Sequence, residues 1–276
     1  MRTVFRRVGF VDVVRIASVA ALLLSPANAE TQNCADPQRL RFETTRKIVR
    51  SEPGFTQGLE FHDGKLYEST GAIGGSTRLN TIALDGTVTR LADQGTAVFG
   101  EGLTILNDEI FQLTWTERQV FVYDLAGKLK RKMRNPRDGW GLTNDGQNLL
   151  FTDGGGSIYE AEPKTFKVGK ATKIRASFTR DVNAVNELEF VAGKLYGNIF
   201  TTQMIVRIDP KTACVDAIAD ISPLIARMPA DEKAQLTADT NNVPNGIAHD
   251  AASGLFYLTG KRWKAIYVGR FVDAAQ

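Results

Sequence analysis

The sequence predicts an all-β chain folded as a five-bladed β-propeller, with a short helical insertion between blades four and five. The first observation behind this is a phrase that returns five times. Its copies are Gln57-Gly58-Leu59-Glu60-Phe61, Glu101-Gly102-Leu103-Thr104, Trp140-Gly141-Leu142-Thr143, Asn186-Glu187-Leu188-Glu189-Phe190 and Asn245-Gly246-Ile247-Ala248. The shared aliphatic falls at 59, 103, 142, 188 and 247, giving spacings of 44, 39, 46 and 59. The second observation is that a turn and then an apolar run follow every copy, from Lys65-Leu66-Tyr67 to Gly254-Leu255-Phe256-Tyr257. A strand-rich repeat of about 40–50 residues punctuated by turns is the pattern of a propeller. Equivalent positions then lie at equivalent places around one axis. The register two residues ahead of each aliphatic brings Gln57, Glu101, Trp140, Asn186 and Asn245 toward the central channel.

Residues 1–29 read as a cleavable signal peptide, with the cut after Ala29. Arg2, Arg6, Arg7 and Arg15 give a basic start, Ile16 to Leu24 is an apolar run of nine, and Ala27-Asn28-Ala29 supplies small residues at the cleavage positions. Nine residues are too few to cross about 30 Å of hydrocarbon as a helix, so no membrane anchor is expected after cleavage. The segment holds four Arg and the single Asp12. The 34 basic and 31 acidic residues of the whole chain thus become 30 and 30 in residues 30–276. That balance gives no electrostatic reason to expect nucleic acid as a partner. The run Lys128-Leu129-Lys130-Arg131-Lys132 reads as a solvated strand end or loop.

Residues 30–276 are expected to be one catalytic propeller domain, exported to the periplasm or beyond and monomeric. Leu40 to Val49 reads as a strand able to pair with the last blade and close the ring, which removes an exposed sheet edge. The turns His62-Asp63-Gly64-Lys65, Leu84-Asp85-Gly86-Thr87, Leu125-Ala126-Gly127-Lys128, Asn144-Asp145-Gly146-Gln147 and Val191-Ala192-Gly193-Lys194 carry hairpin chemistry. Gln119 to Tyr123 and Met204 to Ile208 are rich in β-branched and aromatic residues, as strands are. Ser222 to Ala238 breaks the pattern with helical propensity. It explains the long last spacing and is expected beside one mouth of the channel. The two cysteines, Cys34 and Cys214, permit a disulfide in an exported chain; two unpaired thiols are the alternative.

The chemistry is narrowed by what is scarce. With only His62 and His249, a multi-histidine zinc site is ruled out and a histidine-based triad disfavoured. Gly154-Gly155-Gly156 reads as a tight turn rather than a phosphate loop. Glu101 is the sole carboxylate in the repeated register, between glycines and behind Phe99. In a dry, aromatic funnel a carboxylate can exchange protons near neutral pH; a structural glutamate capping strand amides fits the residues equally well. Trp115, Trp140 and Phe200 could bracket a small ligand or serve as core. Asn186 and Lys261 could bind a carbonyl and its developing charge or be structural.

Taken in order, several phrases resemble one family, the plant and bacterial glutaminyl-peptide cyclotransferases. They are Phe55-Thr56-Gln57-Gly58-Leu59, Phe99-Gly100-Glu101-Gly102-Leu103-Thr104, Gln112-Leu113-Thr114-Trp115, Gly139-Trp140-Gly141-Leu142-Thr143-Asn144-Asp145-Gly146, Asn186-Glu187-Leu188-Glu189, Ile205-Val206-Arg207-Ile208-Asp209-Pro210, Asn245-Gly246-Ile247-Ala248 and Leu258-Thr259-Gly260-Lys261. The resemblance implies a five-bladed propeller that closes the N-terminal glutamine of peptides or proteins into pyroglutamate and releases ammonia, without zinc or another cofactor. It implies Glu101, Asn186 and Lys261 as catalytic residues, with Phe55, Gln57, Phe99, Trp115, Trp140 and Phe200 binding substrate. The chain departs from the family where Asn198-Ile199-Phe200 replaces a frequent tryptophan; Phe200 keeps an aromatic face without the indole donor. Two other functions are compatible with the residues. One is a metal-dependent propeller lactonase or hydrolase using Glu101, Asn186 and Asn245; the other is a propeller that binds peptides without catalysis.

Overall fold

The computed structural model describes residues 34–73, 75–177 and 180–274. The expected signal peptide and its cleavage position lie outside these residues. Among the described residues the chain is almost entirely strand. Its first meander is β2 (Thr56–His62), β3 (Lys65–Thr70), β4 (Thr77–Ile82) and β5 (Val88–Gly95). The second is β6 (Gly100–Leu106), β7 (Glu109–Thr114), β8 (Gln119–Asp124) and β9 (Leu129–Arg134). The third is β10 (Leu142–Asn144), β11 (Leu149–Phe151), β12 (Ser157–Ala161) and β13 (Val168–Lys173). All their pairings are antiparallel, and the hairpin turns fall where the turn residues place them.

The remaining strands form one eight-stranded sheet. Its halves are the meander β14 (Val185–Val191), β15 (Lys194–Ile199), β16 (Met204–Ile208), β17 (Val215–Asp220) and the meander β18 (Pro244–Asp250), β19 (Leu255–Gly260), β20 (Ala265–Asp273). The first strand of the described chain, β1 (Gln38–Val49), joins them. It lies antiparallel to β20 from Val49 opposite Ala265 to Leu40 opposite Asp273, and parallel to β17 over Gln38 to Leu40. Cys34, just ahead of β1, is bonded to Cys214 beside β17 with a Cα–Cα distance of 5.5 Å.

The leading strands of successive meanders touch in series: β2 with β6, β6 with β10, β10 with β14, β14 with β18, and β18 with β2. The shared aliphatics explain the contact. Leu59, Leu103, Leu142, Leu188 and Ile247 are at most 1% exposed, and each belongs to a different apolar cluster. Each cluster fills the space between two meanders; one, for example, joins Tyr67 and Leu79 to Leu103, Ile110 and Phe121. Burying one such side chain is worth about 1.5–3 kcal/mol, so the repeated phrase supplies a packing anchor between sheets. Polarity rises outward. Every residue of β6 is buried, whereas β9 is largely exposed and charged. The lysine-rich run lies on β9, where Lys130 and Arg131 both pair with Glu109.

The segment expected to be helical contains α1 (Ser222–Ala226) and α2 (Ala230–Ala238), between β17 and β18. No residue of α2 is buried. Leu236 packs partly buried against the neighbouring core cluster, and polar ties complete the hold: Lys47 and the Tyr267 hydroxyl bind Glu232, and Lys264 binds Asp231. Among the described residues no helix is long and apolar enough to cross a membrane.

Candidate active site

In four leading strands the ladder slips within the repeated phrase. The register shifts between Thr56 and Gly58, Gly100 and Leu103, Val185 and Leu188, and Pro244 and Ile247. Each slip is a β-bulge, an extra residue that leaves the ladder and re-aims its side chain. Gln57, Glu101, Asn186 and Asn245 lie in these bulges. Trp140 stands just ahead of β10, its carbonyl accepting from Gly102 N at 2.8 Å. Gly102 permits that approach, because a Cβ there would lie 2.4 Å from Leu142 N.

The bulges open onto a cavity of about 140 Å³ lined by Phe55, Gln57, Ile73, Phe99, Glu101, Trp115, Trp140, Asn186, Phe200, Asn241 and Lys261. All nine residues singled out from the sequence stand in this wall. Asn245 does not. It is buried one step behind, where its Nδ2 donates to Thr56 O at 3.0 Å and Gln57 Oε1 at 3.1 Å. Asn245 therefore turns the Gln57 amide so that its N–H end faces Glu101. The trio Glu101, Asn186 and Asn245 required by a lactonase-type metal site is not assembled around the cavity.

The wall divides by depth. Phe55, Gln57, Glu101, Asn186 and Lys261 are buried and form the floor, whereas Ile73 and Trp115 are each 43% exposed at the rim. Aromatic rings connect the two levels. Phe55 meets Phe99 edge-on at 6.0 Å, Phe99 meets Trp115 at 5.7 Å, and Trp140 meets Phe200 at 5.5 Å. Lys261 Nζ lies 4.5 Å from the Phe200 ring centre and 5.1 Å from that of Phe55. The glycine turn expected after β11 has a direct role here. Gly154 has φ +81°, and a Cβ on it would lie 2.5 Å from the Trp140 indole.

The floor is electrostatically unsettled. Burial holds the Glu101 carboxyl well above the usual carboxylate range, against the opposing pull of Lys261 and the Gln57 amide, with Glu117 adding to the rise. Burial likewise pushes Lys261 down to about 8, against the attraction of Glu101. Desolvation outweighs mutual attraction for both groups. Glu101 Oε2 and Asn186 Oδ1 are buried with no hydrogen-bond partner. Buried polar atoms are nearly always satisfied, so two orphans aimed into one cavity mark a place for a polar ligand.

Two buried polar networks hold the floor in place. Arg50, in the segment after β1, pairs with Glu68 at 2.7 Å, both side chains being fully buried, and donates to the Trp263 carbonyl. Thr56 Oγ1 donates to the same Glu68 oxygen at 2.6 Å. The turn carrying Lys261 is thereby pinned to the strand carrying Gln57. Across the channel, Glu187 accepts from Leu59 N at 3.1 Å and from Ile247 N at 2.8 Å. The other four copies of the phrase have glycine where Glu187 stands. That exception is a readable signal of a glutamate with a task at the centre of the ring. Ile73 and Asn241 are lining residues of another kind. They come from loops outside the repeat, so periodicity carries no information about them.

The sequence model of the glutamine cyclotransferase family matches residues 16–271. The chain belongs to this family. It is 32% identical over 228 residues to a glutaminyl-peptide cyclotransferase of Arabidopsis thaliana, covering 82% of this chain and 69% of that protein. It superposes on the crystal structure of Myxococcus xanthus glutaminyl cyclase with a TM-score of 0.77 and 30% identity, covering 87% of this chain and 100% of that one. Membership in the glutamine cyclotransferase family replaces both the lactonase and the purely binding alternatives as the leading account of the cavity.

Proposed function

We propose that this chain is a glutaminyl-peptide cyclotransferase built as a five-bladed propeller, with the helical pair inserted between blades four and five. The ring of leading strands and the five inter-sheet clusters support the architecture. The observation that carries the function is the meeting of Glu101, one carboxyl oxygen of which has no partner, with Lys261 in one aromatic-walled cavity. The disulfide fits an oxidising compartment, and hence export to the periplasm or beyond as a monomer after loss of residues 1–29.

In the proposed reaction, the N-terminal glutamine enters with its side-chain amide between Trp115, Trp140 and Phe200. Glu101 in its carboxylate form takes a proton from the α-amine as the nitrogen attacks the side-chain carbonyl carbon. The carbonyl oxygen becomes an oxyanion held by the Lys261 ammonium and by an N–H of the Asn186 side-chain amide. Glu101 then returns its proton to the departing amide nitrogen. The C–N bond breaks, ammonia leaves, and the five-membered lactam stays on the peptide. Nucleophile and electrophile belong to one residue, so no covalent enzyme intermediate is required. Holding the flexible side chain in the cyclising pose can lower the barrier by up to about 7–11 kcal/mol.

The test is ammonia release from a glutamine-initiated dipeptide, with and without chelator. Wild-type protein is expected to release ammonia in both arms. Glu101→Gln is expected to fold normally and lose about 10²–10⁴-fold in rate, the usual contribution of a positioned acid–base group. A variant running at the wild-type rate would remove Glu101 from the reaction.

A further inference from the structure

The rim holds a polar device that the reaction above does not use. Of the lining residues outside the floor, Asn241 is the only one with a hydrogen-bonding side-chain amide; the others are Ile73 and the aromatics Phe99, Trp115, Trp140 and Phe200. Its placement is specified in detail. Asp239 Oδ1 accepts from Asn241 N at 2.9 Å and from Asn241 Nδ2 at 3.0 Å. Asp239 Oδ2 in turn accepts from Arg262 Nη1 at 2.8 Å. The same guanidinium donates to Asn242 Oδ1 at 2.9 Å and to the Ile73 carbonyl at 3.3 Å, and it lies 4.9 Å from the centre of the Phe55 ring. Arg262 follows Lys261 directly in a left-handed conformation, φ +60°, and its N–H donates to Gly54 O at 2.7 Å. One arginine thus ties the floor to both loop-borne lining residues, Ile73 and Asn241.

The hydrogen bonds decide which end of Asn241 is free. Its Nδ2 is turned toward Asp239, where one of its two N–H groups meets a carboxylate, which accepts only. Among the described residues nothing donates to its Oδ1, so the side chain offers the cavity mouth an acceptor. A substrate whose α-amine reaches Glu101 on the floor must send the rest of its chain out past this rim. The first donor along that path is the N–H of the amide bond after the glutamine. Free glutamine has a carboxylate at that point, which would face the acceptor without a proton to share.

We propose that Asn241, held by Asp239 and Arg262, reads the amide bond that follows the substrate glutamine by accepting its N–H, and so selects peptides and proteins over free glutamine and esters. The proposal rests on the cyclotransferase reading of the cavity and adds its specificity for the second residue.

The test compares glutaminyl-alanine amide with its ester counterpart, in which oxygen replaces that N–H, by ammonia release and kcat/KM. A neutral hydrogen bond contributes about 0.5–1.5 kcal/mol, so wild-type protein should favour the amide by about 2- to 10-fold, expressed mainly in KM. Asn241→Ala should bring the ratio to about 1. Asp239→Ala, which keeps Asn241 but removes its tether, should lower the ratio in the same direction. A purely structural role would slow both substrates alike and leave the ratio unmoved. A wild-type ratio near 1, or a ratio unchanged in both variants, overturns the proposal. Absence of ammonia from either substrate with wild-type protein would instead overturn the cyclotransferase reading.

Discussion

The floor and the rim of the cavity are built by different rules. Floor residues come from repeat-equivalent bulges on neighbouring leading strands, or from a turn pinned to them by a buried ion pair. They are buried, and their polar atoms are either tied by networks or left open to the cavity. The rim adds to repeat-borne aromatics two residues, Ile73 and Asn241, from loops with no counterpart in other repeats, partly exposed and held by hydrogen bonds around Asp239 and Arg262. The difference teaches where each task can be placed. Proton transfer and charge stabilisation require groups fixed in a dry site, and repeated strands supply that rigidity. Discrimination among chains entering the mouth tolerates exposure, and loops supply the variety.

The largest way to break this contrast is at the floor. Lys261→Met should cost about 10²–10³-fold in kcat, the usual loss of one oxyanion donor, with KM little changed. A shift in KM alone would place Lys261 among the binding residues. A second floor test uses pH. The proposed reaction needs Glu101 ionised and Lys261 charged, so the acid limb should lie above the ordinary carboxylate range, and the alkaline limb near 8. Stability should move the other way on the alkaline side. The folded state binds the Lys261 proton less tightly than the unfolded chain, so between about 8 and the usual 10.5 the unfolded state holds more protons and stability rises with pH. Urea titrations of wild type and Lys261→Met across that range read the effect; equal slopes would show that Lys261 is not desolvated.

Glu187→Ala tests the cross-channel tie. It leaves two buried N–H groups without acceptors, at about 1–3 kcal/mol each, so a loss of about 2–6 kcal/mol in urea unfolding is expected; an unchanged midpoint would show the tie to be idle. The smallest effect belongs to the rim. Trp115→Ala should raise KM about three- to tenfold with kcat nearly constant, because a half-exposed ring gives only part of the usual 1.5–3 kcal/mol. A fall in kcat as large as that of Lys261→Met would erase the distinction between floor and rim.

Legibility in the sequence follows the same division. The repeat marked the strands, the shared aliphatics and the register that turned out to hold Gln57, Glu101, Trp140 and Asn186, because strand periodicity is a local property that survives in the order of residues. It placed Asn245 in the same register without showing that its amide would be spent on Gln57 and Thr56, a matter of which neighbour lies within 3 Å or so. Ile73 and Asn241 reach the cavity through loop paths set by Arg262 and Asp239, and no periodic signal encodes a loop path. Phe55, Phe99, Trp115, Phe200 and Lys261 were named chiefly through family resemblance; spacing alone did not separate them from ordinary core.

The position of β1 has a consequence for how the molecule is made. Its long antiparallel partner, β20, is the last of the described strands in chain order, and the cysteine just ahead of β1 waits 180 residues for its mate. Until β20 is in place β1 is therefore an open edge preceded by an unpaired thiol, and contacts this distant in sequence form slowly. A chain halted before residue 265 would leave that edge unsealed however well its earlier meanders had formed. Arrival of β20, rather than any shorter length, is the event that commits the chain to the closed form.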